Sequence, residues 1–135
     1  MKGYLKIYLL YILALSLVLT FILSGCSTKE QSARDLLDKY FTSAMKQDYA
    51  ITYTCYYSDY QNKVSKEEFI QNRQVASVVQ SYKILSLDLQ NDNGQATVEI
   101  TFAPSEKLNR SEPATVKVQE NLIKEKDGWK IKVWE

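Results

Sequence analysis

Leu85-Ser86-Leu87-Asp88-Leu89-Gln90-Asn91-Asp92-Asn93-Gly94-Gln95-Ala96-Thr97-Val98-Glu99-Ile100-Thr101-Phe102 decides the fold. Apolar and polar residues alternate on both sides of a turn-forming tetrad, and a period of two is the mark of a half-buried strand. Leu85, Leu87 and Leu89 share one face of a strand read over 82–89. Ala96, Val98, Ile100 and Phe102 share one face of the next, read over 95–103, with Thr97, Glu99 and Thr101 opposite. Asn-Gly within Asn91-Asp92-Asn93-Gly94 is a strong short hairpin signal. The pattern continues downstream. Residues 114–126 place Val116, Val118 and Leu122 inward. Asp127-Gly128 turns the chain, and residues 129–134 place Trp129, Ile131 and Val133 inward, with Lys130 and Lys132 outward. Pro104 to Pro113 is a loop. One apolar face per strand implies an antiparallel sheet covered on one side only.

The cover comes from upstream. Residues 32–47 carry Leu36, Leu37, Tyr40, Phe41, Ala44 and Met45 at helical spacing, with Ser32 as cap and Asp35 at capping-box distance. Residues 48–60 read as a short helix, because Tyr49, Tyr53, Tyr56 and Tyr60 recur at helical spacing and Asp48 can cap. Residues 58–63 read as a polar loop. Ser65-Lys66-Glu67-Glu68 is a second capping box, with Val64 and Phe69 at the spacing of a hydrophobic staple. It opens a third helix running to about Val75. The expectation is α+β: three helices packed on a four-stranded antiparallel sheet.

The N-terminus reads as an address. Met1, Lys2 and Lys6 precede an apolar run from Ile7 to Leu23, the layout of a secretory signal peptide. Leu23-Ser24-Gly25-Cys26 then matches a bacterial lipobox, in which cleavage before Cys26 frees it to carry a lipid. The expected organisation is residues 1–25 as lipoprotein signal peptide, 26–31 as lipidated Cys26 with a polar tether, and 32–135 as the folded domain. The tether spans less than about 20 Å at about 3.5 Å per residue, which would hold the domain close to the membrane. The expected site of action is the extracytoplasmic face of the cell membrane.

Composition narrows the chemistry. Lys and Arg number 17 against 16 Asp and Glu, so nothing attracts nucleic acid. The chain has no His, which removes imidazole bases and ligands together. Cys26 is committed to lipid, so Cys55 lacks a partner for a disulfide and reads as a small buried apolar residue. Neither a metal nor a cofactor is expected.

Asp48-Tyr49-Ala50, Tyr53, Ser65-Lys66-Glu67-Glu68-Phe69 and Asp127-Gly128-Trp129-Lys130-Ile131 resemble two groups within the nuclear transport factor two-like superfamily. One is the non-catalytic N-terminal domain of methicillin-resistance-type penicillin-binding proteins. The other is a set of small bacterial lipoproteins. The resemblance implies a cone-shaped fold with a curved sheet over residues 32–135. It carries over caps, a turn and a core Trp, and no catalytic residue. The penicillin-binding proteins continue into a transpeptidase domain where this sequence has Glu135, so only the non-catalytic part is expected.

Candidate chemistry is sparse. Ser43-Ala44-Met45-Lys46 has the Ser-x-x-Lys spacing of penicillin-recognising enzymes, but their Ser-Asp-Asn and Lys-Thr-Gly partners are missing. The tyrosines between 49 and 60 read first as packing against the sheet. Alternation puts Glu120 on the inward face with Val118 and Leu122, where it would line a pocket with Tyr49, Tyr53 and Tyr56. The expectation is instead that a bulge or strand end turns Glu120 outward. The leading functional expectation is a non-catalytic, membrane-anchored binding or interaction module, with an envelope protein or cell-wall component as partner. The alternatives are a small-ligand binder using the cone, and a hydrolase or isomerase using Glu120 with a Tyr.

Overall fold

The computed structural model describes residues 28–74 and 76–133. The expected signal segment, Cys26 and Trp134 lie outside them. Helical backbone covers residues 28–45 (α1), so α1 begins before Ser32, and the expected tether is helical from residue 28. Thr28-Lys29-Glu30-Gln31 contains neither Pro nor Gly to stop a helix. α2 spans Tyr49–Thr54, α3 Ser58–Lys63 and α4 Lys66–Gln74. β1 (Val79–Gln90), β2 (Asn93–Phe102), β3 (Ala114–Glu125) and β4 (Gly128–Lys132) form one sheet in that order. Every neighbouring pair is antiparallel.

Among the described residues four α-helices stand where three were expected, because the segment read as one helix over 48–60 is broken. Asp48 caps α2 by accepting from the Ile51 amide. After Thr54 the chain leaves the helix and pairs with the outer edge of β4. Ile131 N donates to Cys55 O at 2.8 Å, and Tyr57 N donates to Ile131 O at 3.0 Å. These bonds satisfy an otherwise open sheet edge. The Glu125 carboxylate then accepts from the backbone N and the hydroxyl of Ser58. That contact starts α3 in the stretch read as a loop. Gln61 Nε2 donates to the carbonyls of Tyr53 and Tyr56, adding side-chain bonds where the helix breaks.

The sheet departs from strict alternation in one strand. β1 slips register twice, between Val79 and Ser81 and between Ile84 and Ser86. Ile84 faces Val98 and Leu87 faces Ala96, and Leu85 between them is squeezed out to 40 % exposure. The inward face of β1 is therefore Val79, Tyr82, Ile84, Leu87 and Leu89, not Leu85, Leu87 and Leu89. The corner of the hairpin is Asn91-Asp92, two residues earlier than Asn93-Gly94. Gln90 pairs with Asn93, and Asn91 takes the left-handed conformation (φ 54), which Asn tolerates better than most residues. Gly94 serves close packing instead: a Cβ there would meet Leu89 Cδ2 at 2.6 Å.

α1 buries Ala33, Leu36, Leu37, Tyr40 and Phe41 in one core with Ala96, Val98, Ile100, Leu122, Trp129 and Ile131. Each large side chain so buried contributes about 1.5–3 kcal/mol of transfer free energy. Phe41 stacks on Tyr82 at 4.9 Å, and the Tyr82 hydroxyl donates to Asp38. Met45 and Val116, both expected inward, are 37 % and 40 % exposed. The core therefore lies toward the other ends of α1 and β3. Among the described residues no helix is long and apolar enough to cross a membrane.

Candidate functional site

An open cavity of about 410 Å³ lies between the helices and the inward face of the sheet, within the size range of small-molecule sites. Tyr40, Phe41 and Ala44 of α1, Tyr49 and Thr52 of α2, and Tyr60 of α3 line its helical side. Val79, Ile100, Phe102, Val118 and Ile131 line the sheet side. Tyr56, Arg73 and Glu120 give it chemistry, and Ser77, Gln119, Asn121 and Lys132 also border it.

Tyr56 is fixed by the bridge that carries it along β4. Its hydroxyl lies 2.8 Å from that of Tyr40 and accepts from Arg73 Nη2 at 2.8 Å. Arg73 follows Phe69 by four residues, so the two share a face of α4. Phe69 is buried, and the guanidinium lies 5.2 Å above its ring. Phe69 also packs edge-on against Tyr56. The aromatic cluster thus aims the cation into the cavity.

Glu120 enters from β3. The β2–β3 ladder runs from Asn93↔Ile123 to Phe102↔Ala114 without a register shift. The bulge expected to turn Glu120 outward is absent, and the carboxylate lines the cavity. Opposite it stands Ala96, whose small side chain leaves room on that face. Burial pushes the Glu120 carboxyl above the usual carboxylate range, and the nearby Arg73 charge pulls it partly back. Among the described residues no hydrogen bond reaches this carboxylate, and no ion pair within 4.0 Å joins it to Arg73. Burial likewise holds the Tyr40 phenol well above its ordinary pKa, with Tyr56 adding to the effect. The Tyr56 phenol is also raised by burial, against the pull of Arg73.

The residues singled out by sequence separate. Tyr49, Tyr56 and Glu120 share the cavity. Tyr53 does not line it: its hydroxyl turns into the helix layer, 2.7 Å from the Val64 carbonyl and 3.1 Å from that of Gln61. Ser43 is buried, donates to the Tyr40 carbonyl and sits 2.8 Å from the Thr52 hydroxyl. Lys46 is exposed, so Ser-x-x-Lys here makes no nucleophile and base. Cys55 is buried, and burial raises its thiol pKa, as fits a packed residue. Arg73 and Tyr40 were not singled out. Arg73 had one legible signal, its place four residues after the staple residue Phe69. Among the described residues no group of His, Cys, Asp or Glu is placed to hold a metal.

No family model matches the chain, and no curated protein matches it significantly. Solved structures do. A SEC-C motif-containing protein from Rhodopseudomonas palustris superposes with TM-score 0.59 at 10 % identity, over 74 % of each chain. One from Psychrobacter arcticus gives 0.59 at 8 % identity, over 76 % of this chain and 59 % of that one. A Campylobacter jejuni protein assigned as an NTF2-like transpeptidase gives 0.51 at 12 % identity, over 75 % of this chain and 97 % of that one. These likenesses concern fold alone. They define the class as an α+β domain with one open antiparallel sheet, consistent with a cone-like NTF2 fold.

Proposed function

We propose that this chain is an exported bacterial lipoprotein of the nuclear transport factor two-like superfamily that binds a small ligand in its cavity. The observation that carries the binding reading is the open space of about 410 Å³ with Arg73, Tyr56, Tyr40 and Glu120 on its wall. Sites of this kind combine an apolar lining with a few placed polar groups. The cavity favours a ligand binder over the interaction module that the sequence put first. An enzyme would need Glu120 to work with a tyrosine, and Tyr40 and Tyr56 bond to each other while Tyr56 accepts from Arg73 instead. Support for the envelope address is the Leu23-Ser24-Gly25-Cys26 motif after its apolar run.

The test is to fill the cavity. Val118 is a half-buried wall residue, and Val118→Trp would take up space in the cavity while leaving Arg73, Tyr56, Tyr40 and Glu120 unsubstituted. The full chain should be purified from its own bacterium and its bound small molecules read by mass spectrometry. A compound retained by wild type and lost from folded Val118→Trp is expected. Equal retention by both would overturn the reading.

A further inference from the structure

Arg73 and Glu120 are opposite charges on the wall of one cavity, which Lys132 also borders, yet among the described residues no ion pair within 4.0 Å joins Arg73 to Glu120. That separation constrains what can enter. A simple anion would be drawn to Arg73 and repelled by Glu120. A simple cation would meet the reverse. Each charge is partly withdrawn from water, where an unanswered charge is costly, and neither answers the other directly. A molecule carrying both signs would answer both.

Resting on the reading of the cavity as a ligand site, we infer that its ligand is a small zwitterion with an apolar body. Its acidic group lies on Arg73 and its amino group on Glu120, and its body lies against Ile100, Phe102 and Val118. Arg73 suits the acidic end. One of its five N–H donors is used on Tyr56, and a guanidinium can pair a carboxylate through two parallel bonds. Tyr56 and Phe69 hold the guanidinium in place, which lowers the entropy lost when a ligand docks. Glu120 suits the amino end, since its carboxylate offers acceptors that no described group fills.

Phenylalanine, 3-phenylpropionate and phenethylamine share one body and differ in their charged ends. Each should be titrated calorimetrically into the full chain in detergent, and into Arg73→Gln and Glu120→Gln, with folding followed by circular dichroism. Phenylalanine should bind at least about tenfold more tightly than either singly charged probe, as a charge-assisted hydrogen bond warrants. Arg73→Gln should weaken phenylalanine and 3-phenylpropionate together, and Glu120→Gln should weaken phenylalanine and phenethylamine together. Arg73→Lys keeps the charge and should restore part of the loss. Equal binding of phenylalanine and 3-phenylpropionate, indifference of phenylalanine to Glu120→Gln, or no binding of any probe would overturn the zwitterion. The cavity reading stands or falls separately, on whether a copurified compound is lost from Val118→Trp.

Discussion

The hydroxyls of Tyr40 and Tyr56 lie 2.8 Å apart, and that of Tyr56 also accepts from Arg73. Tyr56 is the middle of this chain, so its removal orphans two groups and the removal of Tyr40 orphans none completely. An orphaned buried polar group costs about 1–3 kcal/mol, against about 1 kcal/mol for a net hydrogen bond. Tyr56→Phe should therefore destabilise more than Tyr40→Phe in a urea melt. The reverse order would place the weight of the network on Tyr40.

Trp129 follows the tight turn at Gly128 and is 4 % exposed, with the Lys124 ammonium 5.5 Å from its ring centroid. Its indole N–H is buried without a hydrogen-bond partner, so its contribution is packing. Trp129→Ala should cost roughly 3–5 kcal/mol, as large-to-small core changes do. A denaturant midpoint close to wild type would show that the β3–β4 hairpin does not hold the core.

The bulge in β1 separates two leucines that look alike in sequence. Leu87 packs against the core and Leu85 is 40 % exposed. Leu87→Ala should cost at least about 2 kcal/mol, the low end for buried leucines. Leu85→Ala should stay within about 0.5 kcal/mol, as surface changes do. Equal losses would mean that the register does not slip at Ile84–Ser86.

These two leucines also mark where the sequence stops being legible. In β2 nothing interrupts the period of two, and Ala96, Val98, Ile100 and Phe102 face inward as the alternation requires. In β1 an extra residue reverses parity at each of two register shifts, and no local signal announces either. The same rule worked against Glu120. Alternation placed it inward, and an expected bulge or strand end argued it outward, yet the unbroken β2–β3 register keeps it in the cavity. The break after Thr54 was hidden for another reason. The tyrosine spacing is helical, but the β4 edge offers Cys55 and Tyr57 backbone partners that lie more than seventy residues away in sequence. Arg73 reads as a surface cation until Phe69 is known to be buried beside Tyr56.

Cys26 lies outside the described residues, and its lipidation rests on Leu23-Ser24-Gly25-Cys26 alone. Cells grown with labelled palmitate should incorporate label into wild type and not into Cys26→Ala. Two or more acyl chains are expected, since one gives only marginal membrane binding. Equal labelling of the two proteins would remove the anchor from the reading.

Glu120 sets a pH dependence whose sign follows from its raised pKa. The folded protein holds the Glu120 proton to higher pH than the unfolded chain does. Stability from this group is therefore full below the ordinary carboxylate range and is lost as pH rises through the folded-state pKa. Glu120→Gln removes the titration and should leave the protein more stable than wild type at neutral pH, with the gap closing in acid. Arg73 opposes the burial of that charge, so Arg73→Gln should move the Glu120 midpoint further up. Carbon-13 titration of the Glu120 carboxyl in both proteins, beside thermal melts of wild type and Glu120→Gln across pH, checks the two claims together. A midpoint unmoved by Arg73→Gln, or a stability gap that widens in acid, would show that Arg73 and Glu120 do not share one electrostatic site.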